Sequence, residues 1–212
     1  MSTQEERRLY PWPLTEDAIR LAATLKVSCK ETPKILLFTG VAAQEGVSTI
    51  VAQVALALAQ MNQGPVLLLD ANLRTPSTHA IFNVQQIPGL SDVLKQRVTA
   101  AEAIHPSRHP QLSILPSGAG GEEASILFSN TECSTLLQKL RQEFRFVIVD
   151  SSSPLAFVDT TLFIPHVDDV VITLAAGAHR RQELIEVKRL LDRLRANILG
   201  LILCKKKEWL SR

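Results

Sequence analysis

Five short runs of uninterrupted apolar residues punctuate the chain, at 34–38 (KILLF), 66–69 (VLLL), 146–149 (FVIV), 170–174 (VVITL) and 199–203 (LGLIL), with a weaker sixth at 112–115 (LSIL). Runs this short and this continuous predict strands buried on both faces, because a half-buried strand would alternate apolar with polar positions. Between them lie helical patterns. Positions 48–61 are apolar at almost every step, 134–141 are amphipathic, and 182–194 set Leu184, Val187, Leu190, Leu191 and Leu194 along one side. Thr15 is placed to cap a further helix over 16–27, whose predicted apolar stripe is Ile19, Leu21, Ala22 and Leu25. Alternating buried strands and helices predict an α/β fold: a mostly parallel sheet with helices on both faces. The stretch 104–121, rich in Pro, His, Ser and Gly, reads as loop with one short strand inside. Residues 1–13 read as a flexible N-terminal arm that pins Trp12 onto the body, and 14–212 as a single domain.

Composition narrows the function classes. The 212 residues are 46% hydrophobic and 21% charged, which suits a folded globular chain rather than a disordered one. A net charge of +2, from 23 basic against 21 acidic residues, argues against a general nucleic-acid binder. Cys29, Cys133 and Cys204 are odd in number and scattered, which fits neither a disulfide framework nor a structural zinc site. No apolar run approaches the ~18 residues of a membrane span, and no secretory pattern opens the chain. The expectation is a soluble cytoplasmic protein.

Parallel sheets bind ligands beyond the carboxyl ends of their strands, so the residues after each run carry the chemistry. After the first come Thr39, Gly40, Val41, Ala42, Ala43, Gln44, Glu45, Gly46, Val47, Ser48 and Thr49, leading into a helix. Strand, loop and helix N-terminus make a phosphate-binding geometry, with Gln44, Glu45, Gly46, Val47, Ser48 and Thr49 as the candidate cradle. The G-x-x-x-x-G-K-[ST] pattern is not met: Val47 stands at the lysine and Val41 at the first glycine. A tight strand-to-helix turn at Gly46 accounts for the segment equally well. Asp70 and Asp150 end two further strands, and with Ser48 they are the candidate magnesium ligands; each aspartate alone reads as a turn cap.

With these residues in view, the chain resembles the cytoplasmic kinase domain of the bacterial tyrosine kinases (BY-kinases) of capsule and exopolysaccharide export, within the MinD/ParA-like group of P-loop ATPases. That family's loop, T-S-x-x-P-G-E-G-K-S-T, is matched by Thr39, Glu45, Gly46, Ser48 and Thr49. Its second motif, L-L-I-D-A-D-L-R-R-P-S-L-H-x-x-F, is matched by Leu68, Leu69, Asp70, Ala71, Leu73, Arg74, Pro76, Ser77, His79 and Phe82. The continuation P-G-L-S-D-V-L is present entire from Pro88 to Leu94, and Leu115, Pro116 and Gly118 follow the family's L-P-A-G. The third motif keeps Phe146, Val147, Ile148, Val149, Asp150 and Pro154.

The departures matter as much. Val47 replaces the lysine that would contact the β- and γ-phosphates, Gln44 replaces a loop glycine, and Asn72 replaces the second acid of the second motif. Cys204 stands near the family's adenine-contacting asparagine. The only tyrosine is Tyr10, where the family carries a C-terminal tyrosine cluster. Ile19 and Ala22 stand where two arginines would close an oligomeric ring. The resemblance then implies a pseudokinase-like domain with no catalytic residues of its own and no cofactor, or weakly bound ATP/ADP with Mg²⁺. Its partner is a polysaccharide co-polymerase (chain-length-determinant) membrane protein or a paralogous kinase. It binds no nucleic acid, stays at most peripheral to the inner membrane, and homo-oligomerisation remains open. If the domain is instead an active kinase or ATPase, Asp70, Asp150 and Arg74 are its catalytic candidates, with Arg74 or Arg180 supplying the missing charge. A positioning ATPase is the third reading. Lys205, Lys206 and Lys207 read as a solvated tail or a lipid contact, and Trp209 and Leu210 as anchors on the body or on a partner.

Overall fold

The computed structural model describes residues 14–29, 33–42, 45–121, 123–176 and 181–204. The arm with Trp12, the loop's Gln44, Arg180, Lys205–Lys207, Trp209 and Leu210 lie outside these residues. The strands are β1 (Lys34–Gly40), β2 (Val66–Asp70), β3 (His105–Pro106), β4 (Leu112–Leu115), β5 (Phe146–Asp150), β6 (Asp169–Ala175) and β7 (Ile198–Cys204). They form one sheet in the order β3-β4-β2-β5-β1-β6-β7, parallel except for the short β3. The expected α/β architecture is therefore present.

Residue parity divides the core into two layers. Leu36, Phe38, Leu68 and Ile148 face one side of the sheet, where they meet α1 (Glu16–Ser28) and α2 (Val47–Gln60). Ile35, Leu37, Leu67, Leu69, Val147 and Val149 face the other. There they meet α4 (Leu90–Leu94), α6 (Ala124–Ser129), α7 (Thr131–Glu143) and α9 (Arg181–Arg193). Helix α2 is buried from Val54 through Ala59 because α1 covers the face that the sheet does not. Each fully buried Leu or Ile in these layers contributes roughly 1.5–3 kcal/mol.

Short helices α3 (Thr78–Phe82), α5 (Ala100–Ala103) and α8 (Val158–Phe163) fill the remaining connections. The segment containing the P-G-L-S-D-V-L run has a clear packing role. Leu90 N donates to Pro116 O at 2.7 Å, Ser91 N to Ser117 O at 2.9 Å, and Gln86 Nε2 to Gly118 O at 2.9 Å. Residues 86–91 thus lie along 116–118 beyond β4.

Two sequence expectations need correction. The run 199–203 is not buried on both faces: β7 is the outermost strand, and Leu201 and Leu203 are 46% and 64% exposed. The stripe of α1 is Ala18, Ala22 and Leu25, with Leu21 packed partly buried against the same core as expected, while Ile19 points outward at 43% exposure. No helix among the described residues is long and apolar enough to cross a membrane.

Candidate phosphate-cradle site

The ends of β1, β2 and β5 meet at one edge of the sheet, with Phe38 opposite Asp150 and Asp70 opposite Asp150 in register. The chain leaves β1 for β2 on one side, and the later connection from β5 crosses to β6 on the other side of β1, so a crevice opens here. It is a cavity of about 420 Å³ bounded by Glu45, Val47 and Ser48 of the loop, Asn72 and Ser77 after β2, and Ser152 and Phe157 after β5.

Gly46 caps α2 with φ +76°, a left-handed conformation that a side chain would strain, and it contributes no capping group. The first-turn N–H groups of Val47, Ser48 and Thr49 have no partners within the helix, and the helix dipole adds positive potential there. Val47 borders the cavity, and its half-buried side chain also packs against the core on the α2 side. Among the described residues that line the cavity there is no lysine or arginine.

The loop is braced by its own carboxylate. Glu45 Oε2 accepts from Val41 N at 2.6 Å and Ala42 N at 3.1 Å, and Oε1 accepts from Ala175 N at 3.3 Å at the end of β6. The serines after β5 tie the opposite wall to β1. Ser151 Oγ donates to Phe38 O, Ser153 Oγ to Val41 O, and Thr39 Oγ1 to Ser152 O.

The two candidate aspartates have different surroundings. Asp70 accepts from Asn72 N (3.1 Å), Ser77 N (3.2 Å), Thr78 N (3.2 Å) and Thr78 Oγ1 (2.8 Å), which fixes the turn after β2. Burial raises its pKa, and these donors oppose the rise. Asp150 is fully buried, and among the described residues neither carboxylate oxygen has a hydrogen-bond partner. Burial, then the charge of Asp70, push its pKa well above the ordinary carboxylate range, with the nearby Ser48 hydroxyl pulling the other way. An orphaned carboxyl beside a helix-terminal serine fits Mg²⁺, whose preferred ligands are oxygens. Asp150 and Ser48 are the residues that would hold it. The oxygens of Asp70 are already shared among four donors, so it braces the turn.

Arg74, a candidate source of positive charge, makes a two-pronged pair with Asp159, Nε to Oδ2 at 2.5 Å and Nη2 to Oδ1 at 3.2 Å, and lies 4.7 Å over the Phe157 ring. Its charge serves that buried carboxylate. Sequence reasoning missed Asp159, which stands 85 residues from Arg74, and the bracing role of Glu45. The serine triplet after β5 was the legible signal for that wall. His105 and His109 stay apart from the site, at β3 and in the following turn, where His109 Nδ1 accepts from Gln111 N.

No protein-family model matches the chain. It is 28% identical over 174 residues to the tyrosine-protein kinase YwqD of Bacillus subtilis, covering 82% of this chain and 73% of that protein. It is 28% identical over 193 residues to the tyrosine-protein kinase CpsD of Streptococcus agalactiae, covering 91% and 82%. The kinase domain of the Escherichia coli tyrosine kinase ETK superposes with a TM-score of 0.84 at 26% identity, over 92% of this chain and 78% of that one. A plasmid partition protein from Borrelia burgdorferi shares the fold at a TM-score of 0.69 and 18% identity, over 86% of this chain and 82% of that one.

Proposed function

We propose that this chain, a homologue of the bacterial tyrosine-protein kinases, is a kinase-like module that has given up phosphotransfer. It acts by binding, as a regulatory or interaction partner in exopolysaccharide and capsule biosynthesis and export. The observation that carries the reading is Val47. It heads α2 and borders the cavity where the resemblance places a lysine, and no described lining residue supplies another cation. A charge-assisted contact contributes about 1.5–3 kcal/mol, and a hydrocarbon cannot replace it against a polyphosphate. The fixed pairing of Arg74 with Asp159 supports the same reading. The partner is a membrane-embedded polysaccharide co-polymerase or a paralogous kinase, and through it the module reaches the cytoplasmic face of the inner membrane.

Titration with a fluorescent ATP analogue and Mg²⁺ tests this reading. The native protein is expected to show no low-micromolar binding, and the Val47→Lys, Gln44→Gly double variant is expected to gain it. Low-micromolar binding by the native protein would overturn the proposal.

A second reading, an active ATP-dependent tyrosine kinase or ATPase with an atypical phosphate loop, is favoured by the unpartnered oxygens of Asp150. Magnesium bound there would neutralise phosphate charge. Radiolabelled phosphate transferred to the protein itself or to a tyrosine polymer, and lost in Asp150→Asn, would establish it.

A further inference from the structure

The cavity beside the loop is short of the cations a polyanion needs and rich in neutral polar groups. Among the described residues that border it, Glu45 carries the one ionisable side chain, and it is an acid. Two of the neutral groups have hydrogen-bonding capacity to spare. Asn72 Oδ1 accepts from Thr75 N and Thr75 Oγ1, at 3.2 Å each, which leaves the amide NH₂ for the cavity that Asn72 borders. Ser77 N donates to Asp70 Oδ2 at 3.2 Å, which fixes the residue, while Ser77 Oγ is buried and has no partner among the described residues. A buried hydroxyl in that state is costly until something bonds it. Phe157 adds an aromatic wall. Arg74 lies 4.7 Å over its ring without bordering the cavity, so the side of the ring away from Arg74 is what the cavity meets.

We infer, on the reading of the domain as a binding module, that the same cavity takes one uncharged pyranose ring, seated against Phe157 with its hydroxyls on Asn72 and Ser77. Every sugar hydroxyl both donates and accepts, so one ring accepts from the Asn72 amide and exchanges a bond with the Ser77 hydroxyl. A pyranose also has a face of C–H bonds, which an aromatic ring covers without stranding a polar group. A polyphosphate offers acceptors alone and brings several negative charges, and no described lining residue answers them with a cation. The first-turn amides of α2 serve a neutral sugar oxygen through the same hydrogen bonds they would give a phosphate oxygen. The volume of about 420 Å³ lies within the range of small-molecule sites, roughly 300–1,000 Å³. Glu45 sets the charge preference: a sugar acid would bring a second carboxylate to the cavity it borders, so neutral sugars are favoured over uronic acids.

Calorimetry and saturation-transfer NMR of the full-length protein, with the methyl glycosides of glucose, galactose, mannose and glucuronic acid, test this. At least one neutral glycoside is expected to bind with a millimolar or lower dissociation constant, and the glucuronide several-fold more weakly than that one. Ser77→Ala loses no described hydroxyl bond in the free protein, so its melting temperature is expected not to fall, while sugar binding weakens about ten-fold. Asn72→Asp keeps the acceptor for Thr75, removes the NH₂ donors and is expected to weaken binding by a similar factor. Failure of all three neutral glycosides to bind would overturn the inference. So would a glucuronide that binds as tightly as the best neutral glycoside, or binding that survives both substitutions, since the sugar would then sit elsewhere. The fluorescent ATP analogue separates the two levels. Glycosides that fail on a protein that also refuses the nucleotide sink the sugar assignment alone, whereas low-micromolar nucleotide binding by the native protein sinks the binding-module reading and this assignment with it.

Discussion

Asp70 and Asp150 end adjacent strands in direct register, and among the described residues Asp70 has four hydrogen-bond donors while Asp150 has none. Two such groups side by side cannot both ionise cheaply. The donors stabilise the charged form of Asp70, so the shared proton belongs on Asp150. Asp70 is thereby part of the frame of the turn after β2.

That asymmetry sets a pH dependence. The folded pKa of Asp150 lies well above its ordinary value, so the folded state retains a proton that the unfolded chain releases near pH ~3.9. Its contribution to stability is complete below that pH and is lost as pH rises toward the folded pKa. Asp150→Asn removes the titration without changing the shape. The variant is expected to be more stable than the native protein at pH 7 and to flatten the fall of stability above pH ~4. Urea titrations across pH check both, and a slope identical to the native one would refute the assignment. Mg²⁺ should raise the melting temperature of the native protein and leave that of the variant unmoved.

Gly89 tests the docking of 86–91 on 116–118. A Cβ there would stand 2.2 Å from Gly118 N and 2.5 Å from Pro116 O, both backbone atoms that cannot swing aside. Gly89→Ala is expected to separate the two segments and lower stability by about 1–3 kcal/mol, the usual cost of overpacking. Thermal melts measure the loss, and faster amide exchange at Leu90 and Ser91 would localise it, since both N–H groups bond to residues 116–117. A variant with native stability would show that the segment is not held by this contact.

The buried strands were legible because a sheet covered on both faces leaves continuous apolar runs, as in β1, β2 and β5. The same signal misled at β7, because a run of Leu and Ile carries no mark of lying at a sheet edge. Helices α3 and α4, of five residues each, are too short for a periodic pattern to emerge. At the site, the loop 45–49 and both aspartates were visible as residues that follow apolar runs. Their division of labour was not, because it depends on which backbone N–H groups turn toward Asp70. Nor could spacing reveal that Arg74 would be taken by Asp159, since that pair closes only when α8 packs beside the turn after β2.

Glu45 offers the most direct test of how the cradle keeps its shape. Its carboxylate gathers the N–H groups of Val41 and Ala42 on one oxygen and that of Ala175 on the other, joining the loop to the end of β6. A loop curled around a resident carboxylate holds its form without a bound phosphate or a lysine. Glu45→Ala removes this acceptor from all three donors; Val41 N keeps its bond to Thr173 O at 3.3 Å, while a buried N–H left unpaired costs about 1–3 kcal/mol. Exchange at Val41, Ala42 and Ala175 is expected to accelerate together, with a drop in melting temperature. Glu45→Gln keeps one acceptor oxygen and should fall between. In the Val47→Lys, Gln44→Gly background, Glu45→Ala is further expected to weaken the regained nucleotide binding, because the amides it organised would no longer be held in place. If that binding instead strengthens, Glu45 acts there mainly as a repelling charge, and its bracing role in the cradle is secondary.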